Sequence, residues 1–191
     1  MNVFPGALLA LVMVSFVGTT RLSSASPPPS PAPPALTLKG VEYVYRWSRN
    51  DRHTFTPRGQ EDLQRWTDML TLTSYPTVKD GTSLAKTANT VLNIYKQNEA
   101  IVVKTASVPP TAEMPAEHLI VVLIPQKDLV EAVFARFKLV DGSGNSSVYS
   151  HRIYGKKNGP EIDAWLKQFG PDTERAILSM DLPVNRPAAR K

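Results

Sequence analysis

The sequence predicts an α+β domain: a single antiparallel sheet covered by two amphipathic helices. Three observations lead there. Strand-like segments follow one another without helices between them, two segments carry an apolar stripe at helical spacing, and a cluster of turn formers joins two alternating runs. The first alternating run is Val41, Tyr43, Tyr45 and Trp47 against Glu42, Val44 and Arg46, a period of two built from aromatic and β-branched residues. Asn50-Asp51 reads as a turn, and His53–Thr56 as a short partner strand stopped by Pro57. Leu63 and Trp66, three apart, suggest a short helix over Gln60–Thr67, and Met69–Tyr75 reads as a strand closing at Pro76.

The best helical segment is Ser83–Gln97. There Leu84, Ala88, Val91, Leu92 and Tyr95 fall on one face, and Asp80, Thr82 and Ser83 offer N-caps. Ile101–Val108 returns as a strand, a proline-rich loop follows, and the uniformly apolar Leu119–Ile124 suits a central strand. Leu129–Val140 reads two ways, as a helical first turn giving way to a strand. Asp141–Asn145 then turns the chain into an alternating Ser147–Tyr154. A last helix opens at Gly159-Pro160, uses Ile162, Trp165, Leu166 and Phe169, breaks at Gly170-Pro171, and resumes to about Met180.

The composition supports one such domain with appendages. The chain has 191 residues, 42% hydrophobic and 20% charged, with 17 prolines and no cysteine. That length accommodates a sizeable core without staples. Without cysteine there are no disulfides, thiolate metal sites or cysteine nucleophiles. The net charge of +5 is a matter of ends: setting aside Arg21, Arg186, Arg190 and Lys191 leaves 18 basic against 17 acidic residues. A nearly neutral body lacks the basic stripe that nucleic-acid binding requires.

The ends read as export equipment. Residues 1–25 form a signal peptide: Pro5–Gly18 is apolar but shorter than the about 20 residues a membrane span needs, and Ser23 and Ala25 place cleavage before Ser26. The missing basic n-region leaves a retained anchor as the alternative. Residues 26–35 are a proline-rich disordered spacer, 36–182 the folded domain, and 183–191 a disordered basic tail. The expected location is therefore periplasmic or secreted, with membrane contact only if the leader stays attached. Export without cysteine suits a bacterial protein. Asn145-Ser146-Ser147 matches a glycosylation sequon, a coincidence in that setting.

Local catalytic motifs are absent: no G-x-S-x-G, P-loop, H-E-x-x-H, EF-hand loop or Rossmann fingerprint. His53, His118 and His151 show no metal-ligand spacing, so no metal and no cofactor is expected. Ser150-His151 fails as a nucleophile and base, because neighbours in a strand point to opposite faces. Arg136, Lys138, His151 and Arg152 lie on the two arms of the terminal hairpin and are the candidate binding residues. On one face they would form a cationic patch for a carboxylate or phosphate; the plainer alternative is a solvated face balanced by nearby acids. Gly155–Pro160, ahead of the last helix, reads as a solvated loop. Tyr43, Tyr45, Trp47, Trp66 and Trp165 read as core or core-edge aromatics.

Four stretches, at residues 55–63 (FTPRGQEDL), 66–69 (WTDM), 115–119 (PAEHL) and 148–155 (VYSHRIYG), resemble an exported bacterial protein family without assigned activity, over Val41 to Met180. The element order is also similar to PsbP-like α/β/α domains, which implies an accessory or binding role. The resemblance carries over no catalytic residue. The expected function is a non-enzymatic binding or accessory protein whose partner is an unknown protein or small molecule. The alternatives are a small exported hydrolase with a scattered His/Asp/Ser site, or an inner-membrane-anchored accessory protein.

Overall fold

Strand periodicity and turn chemistry build two four-stranded meanders that meet side by side. The structure, a computed structural model, describes residues 35–111 and 115–181. The leader, the spacer up to residue 34 and the tail from residue 183 lie outside the described residues. Strands β1 (Leu36–Leu38), β2 (Val41–Arg49), β3 (Arg52–Pro57) and β4 (Asp68–Tyr75) form the first meander. Helix α1 (Gly81–Gln97) then carries the chain to the far edge. There β5 (Ile101–Val108), β6 (Glu117–Pro125), β7 (Leu129–Val140) and β8 (Ser143–Tyr154) meander back until β8 pairs with β4. The result is one eight-stranded antiparallel sheet, ordered β1-β2-β3-β4-β8-β7-β6-β5, followed by α2 (Asn158–Ser179).

The turns follow from residue type. Asp141 and Gly142 both take left-handed backbone, with φ of 48° and 68°, the pattern of a two-residue hairpin loop matched to strand twist. Helix α1 begins with a capping box: the Asp80 side chain accepts from the Ser83 backbone N–H, and Ser83 Oγ lies against the Asp80 backbone N–H. Gly144 is needed for a close approach. Its N–H donates to the Val78 carbonyl at 2.8 Å, and a Cβ there would lie 2.6 Å from the Val78 side chain.

Alternate residues of the central strands feed two cores. Ala132, Phe134, Leu119 and Tyr149 face Ile162 and Ile177 of α2, while Val133, Ala135, Phe137 and Ile120 face Leu84 and Ala88 of α1. The class is α+β, but the expected sheet covered by two amphipathic helices, in the α/β/α PsbP-like manner, is not what forms. Eight strands at about 4.8 Å spacing span roughly 34 Å, more than one helix of about 10 Å diameter per face can cover. Helix α1 packs against β6 and β7, and α2 against β7 and β8. The fold is thus a large sheet with a helix over part of each face, and β5 lies outside that cover.

Three local expectations also change. Residues 60–67 form turns rather than a helix. The Gln60 side-chain oxygen accepts from the backbone of Thr67 and Asp68, and Asp62 accepts from Gln64, so side chains replace helical bonds. Residues 129–140 are strand throughout. Central between β6 and β8, β7 is buried on both faces over Ala132–Phe137, which erases the period of two. Helix α2 runs unbroken through Pro171, because the buried stripe of Ile162, Gly170, Thr173 and Ile177 continues across it and tertiary packing outweighs the one helical bond that proline removes.

Candidate functional site

The hairpin cations do not share one surface. Arg136, Lys138 and His151 point to the α2 side of the sheet, and Arg152 to the α1 side beside Glu131. His151 pairs across the hairpin with Ala132, four residues from Arg136, which separates the two by about 13 Å. Each cation also has an acidic partner. Arg136, 3% exposed, donates to both Glu117 carboxylate oxygens at 2.7 and 3.2 Å, and its remaining nitrogen donates to the Ile177 and Met180 carbonyls at 3.2 and 2.7 Å. Lys138 Nζ lies 3.9 Å from the same carboxylate. Arg152 donates to Glu131 at 2.9 Å and lies 3.9 Å over the Trp66 ring. Arg136 and Lys138 also line an open depression of about 680 Å³ beside the end of α2.

His151 belongs to a second constellation, whose other members the sequence did not single out as a group. Its Nδ1 is 3.0 Å from Asp68 Oδ1, the Tyr149 hydroxyl donates to the same oxygen at 2.6 Å, and the Trp165 ring stacks on the imidazole at 4.2 Å and 8°. Asp68 and Tyr149 meet because β4 and β8 pair in register, an adjacency 81 residues apart in sequence. Burial pushes the Asp68 carboxyl up, but the hydrogen bonds from His151 and Tyr149 and the His151 charge outweigh it and hold the carboxyl below its usual range. Burial, reinforced by the Asp68 charge, raises the Tyr149 phenol, which stays protonated as the donor.

A carboxyl depressed in this way stabilises the fold above the ordinary Asp pKa, and that stability is lost as pH falls through the depressed value. Asp68→Asn should therefore weaken the protein at neutral pH and flatten its stability profile below the ordinary carboxyl value of 3.8. Urea midpoints taken from about pH 7 to about pH 2 check this, and parallel profiles for the two proteins would reject it.

Two histidines thus sit within hydrogen-bond reach of a serine or carboxylate. Besides His151–Asp68, Ser107 Oγ lies 2.8 Å from His118 Nδ1. The His118 ring is held below its usual range by burial, against the charge of Glu117, and its Nε2 is buried without a partner among the described residues. The pairs cannot combine into a triad. His118 lies on β6 facing α1 and His151 on β8 facing α2; they are two strands apart, and their partners on β7, Phe137 and Ala132, are a further five residues or about 17 Å apart along the strand. Among the described residues, two open depressions flank the end of α2, and neither is lined by His118 or His151. No group of three potential metal-ligating side chains occurs among the described residues.

The most unusual surface is the sheet edge at β5. All eight of its residues are exposed, including Ile101 at 57%, Val103 at 49% and Val108 at 47%. Only its inner side is paired, to β6, so one row of backbone N–H and C=O groups faces outward. Edge strands are ordinarily protected by charges or prolines. Here protection is limited to Lys104, already 2.6 Å from Glu174 of α2, and to a bulge between Val102 and Lys104. The sequence showed a strand at Ile101–Val108 but carried no signal for which strand would lie at an edge.

No protein-family model and no curated protein matches the chain. Among solved structures it is similar to the Ran-binding protein Mog1p of Saccharomyces cerevisiae, at 8% identity and a TM-score of 0.45, over 75% of this chain and 93% of that one. It is also similar to human STARD10, at 7% identity and a TM-score of 0.28, over 71% and 73%.

Proposed function

We propose that the chain is a non-enzymatic binding or accessory protein, exported by its leader to a periplasmic or extracellular location, that engages an extended polypeptide segment along β5. The observation that carries this reading is the fully exposed β5 edge, where an added strand gains main-chain hydrogen bonds and contacts for alternate side chains. The polar groups elsewhere support the same division of labour. Arg136, Arg152, Asp68 and His151 are engaged in holding the sheet to α2 and to its flanking loop, which leaves the edge as the open surface.

The test is selection of displayed random peptides on the full chain, followed by amide hydrogen exchange. Selected peptides are expected to be β-branched and extended, and to slow exchange across Ile101–Val108. Peptides that protect β8 and α2 while β5 exchanges as in the free protein would overturn the reading. N-terminal sequencing of the exported protein checks the location, with Ser26 expected as the first residue.

A further inference from the structure

We infer that the segment received by β5 is β5 of a second copy of this chain, paired antiparallel about a twofold axis through Ala106. The inference rests on β5 being a docking edge and adds the identity of the occupant.

The argument is one of parity. Pairing with β6 sets Lys104, Ala106 and Val108 on the α2 side, opposite Val121, Leu119 and Glu117. Thr105 and Ser107 fall on the α1 side, opposite Ile120 and His118. Residues directly opposite in an antiparallel pair share a face. Two identical strands related by a twofold axis perpendicular to the sheet satisfy this only if the axis passes through a residue. An axis between residues would set side chains of opposite faces against each other.

The usable segment is bounded. The register shift at Val102/Lys104 interrupts the alternation on one side, and Pro109-Pro110, which have no N–H, end it on the other. Centring on Ala106 uses all of Lys104–Val108, whereas centring on Thr105 or Ser107 shortens the pairing to three residues.

The chemistry of that register is self-compatible. Ala106 meets itself, the smallest side chain of the strand at the closest approach. Thr105 meets the second copy's Ser107, hydroxyl against hydroxyl, and Lys104 meets Val108. The strand's single charge is matched by Glu174 and never faces its own image. Neither helix covers β5, so two sheets can abut. The near-neutral body, 18 basic against 17 acidic residues between the terminal cations, adds little long-range repulsion.

The absence of cysteine gives a clean test on the full chain. Directly opposed residues in an antiparallel pair have Cα atoms about 4.5–5.5 Å apart, within disulfide range. Ala106→Cys is expected to form a covalent dimer on mild oxidation, while Thr90→Cys, exposed on α1, stays monomeric. Sedimentation velocity of the parent should show a concentration-dependent dimer. Ala106→Lys, which opposes two ammonium groups, should raise its Kd by about tenfold or more with an unchanged thermal midpoint of the monomer. A dimer insensitive to Ala106→Lys, with no cross-link at Cys-substituted position 106, overturns the inference. A parent that stays monomeric up to its solubility limit, while selected peptides still protect β5, overturns self-pairing and leaves edge docking in place. A monomer whose β5 amides no peptide protects removes both.

Discussion

Replacing Arg136 by methionine is expected to cost the fold about 3–5 kcal/mol and lower the thermal midpoint by roughly 10 °C or more. The guanidinium is almost wholly buried and makes four hydrogen bonds at once: two to the Glu117 carboxylate and two to carbonyls at the end of α2. The carbonyls at the end of a helix receive no helical N–H, so Arg136, donating to Ile177 and to the C-cap Met180, acts as the C-terminal cap and ties the last turn to β7. Methionine fills much of the volume but strands a carboxylate that is only 15% exposed, with Lys138 at 3.9 Å as its remaining cation. Removing the stranded charge as well, in Arg136→Met/Glu117→Leu, should recover a large part of the loss, because a pair replaced whole costs far less than a pair broken. Urea unfolding of the parent, the single and the double variant measures both numbers. A single-variant loss under about 1 kcal/mol would show that the pair carries little of the α2 docking.

Trp165→Ala is expected to cost about 3 kcal/mol, with a second effect on His151. The indole stacks on that imidazole and lies within ring-contact range of Phe134, Tyr149 and Phe169, so one residue joins α2 to β7 and β8. Alanine leaves a gap that the sheet cannot close, because the register of β4 and β8 fixes the positions of Asp68, Tyr149 and His151. It also admits water to the Asp68–His151 contact and weakens it by screening. Trp165→Phe retains an aromatic face over the imidazole and should lose less than half as much. Near-ultraviolet circular dichroism and the His151 ring resonances, followed with denaturant midpoints, separate the packing loss from the change at the histidine. Equal losses for the alanine and phenylalanine variants would show that stacking contributes nothing.

Much of the chain's local grammar could be read directly. Leu84, Ala88, Val91 and Tyr95 announce α1 by their spacing, and the observed Gly81–Gln97 differs from the expected span only by two residues at the start. The turn formers of Asp141–Asn145 announce a hairpin, but the loop itself is only Asp141-Gly142, both with positive φ, and Ser143–Asn145 already belong to β8. The same kind of reading failed at Leu129–Val140 and across Pro171, where burial on both faces or a continuous packing stripe overrides local periodicity. Residues 60–67 failed for a related reason, since the bonds that the Gln60 side-chain oxygen accepts from the backbone N–H groups of Thr67 and Asp68 belong to a folded loop and leave no trace in spacing.

By itself, then, the sequence determined the α+β class, the positions of most strands and both helices, the missing cysteine chemistry and the balance of charge in the body, all properties of composition or of neighbours a few residues apart. Only the tertiary structure decided that β8 returns to lie against β4, that Arg136 and Arg152 leave opposite faces of the sheet, that His151 meets Asp68 beneath Trp165, and that β5 is left at an edge. The physical reason is that strand order depends on which non-local pairings bury the most apolar surface at once. That sum runs over the whole chain, and no single segment records it.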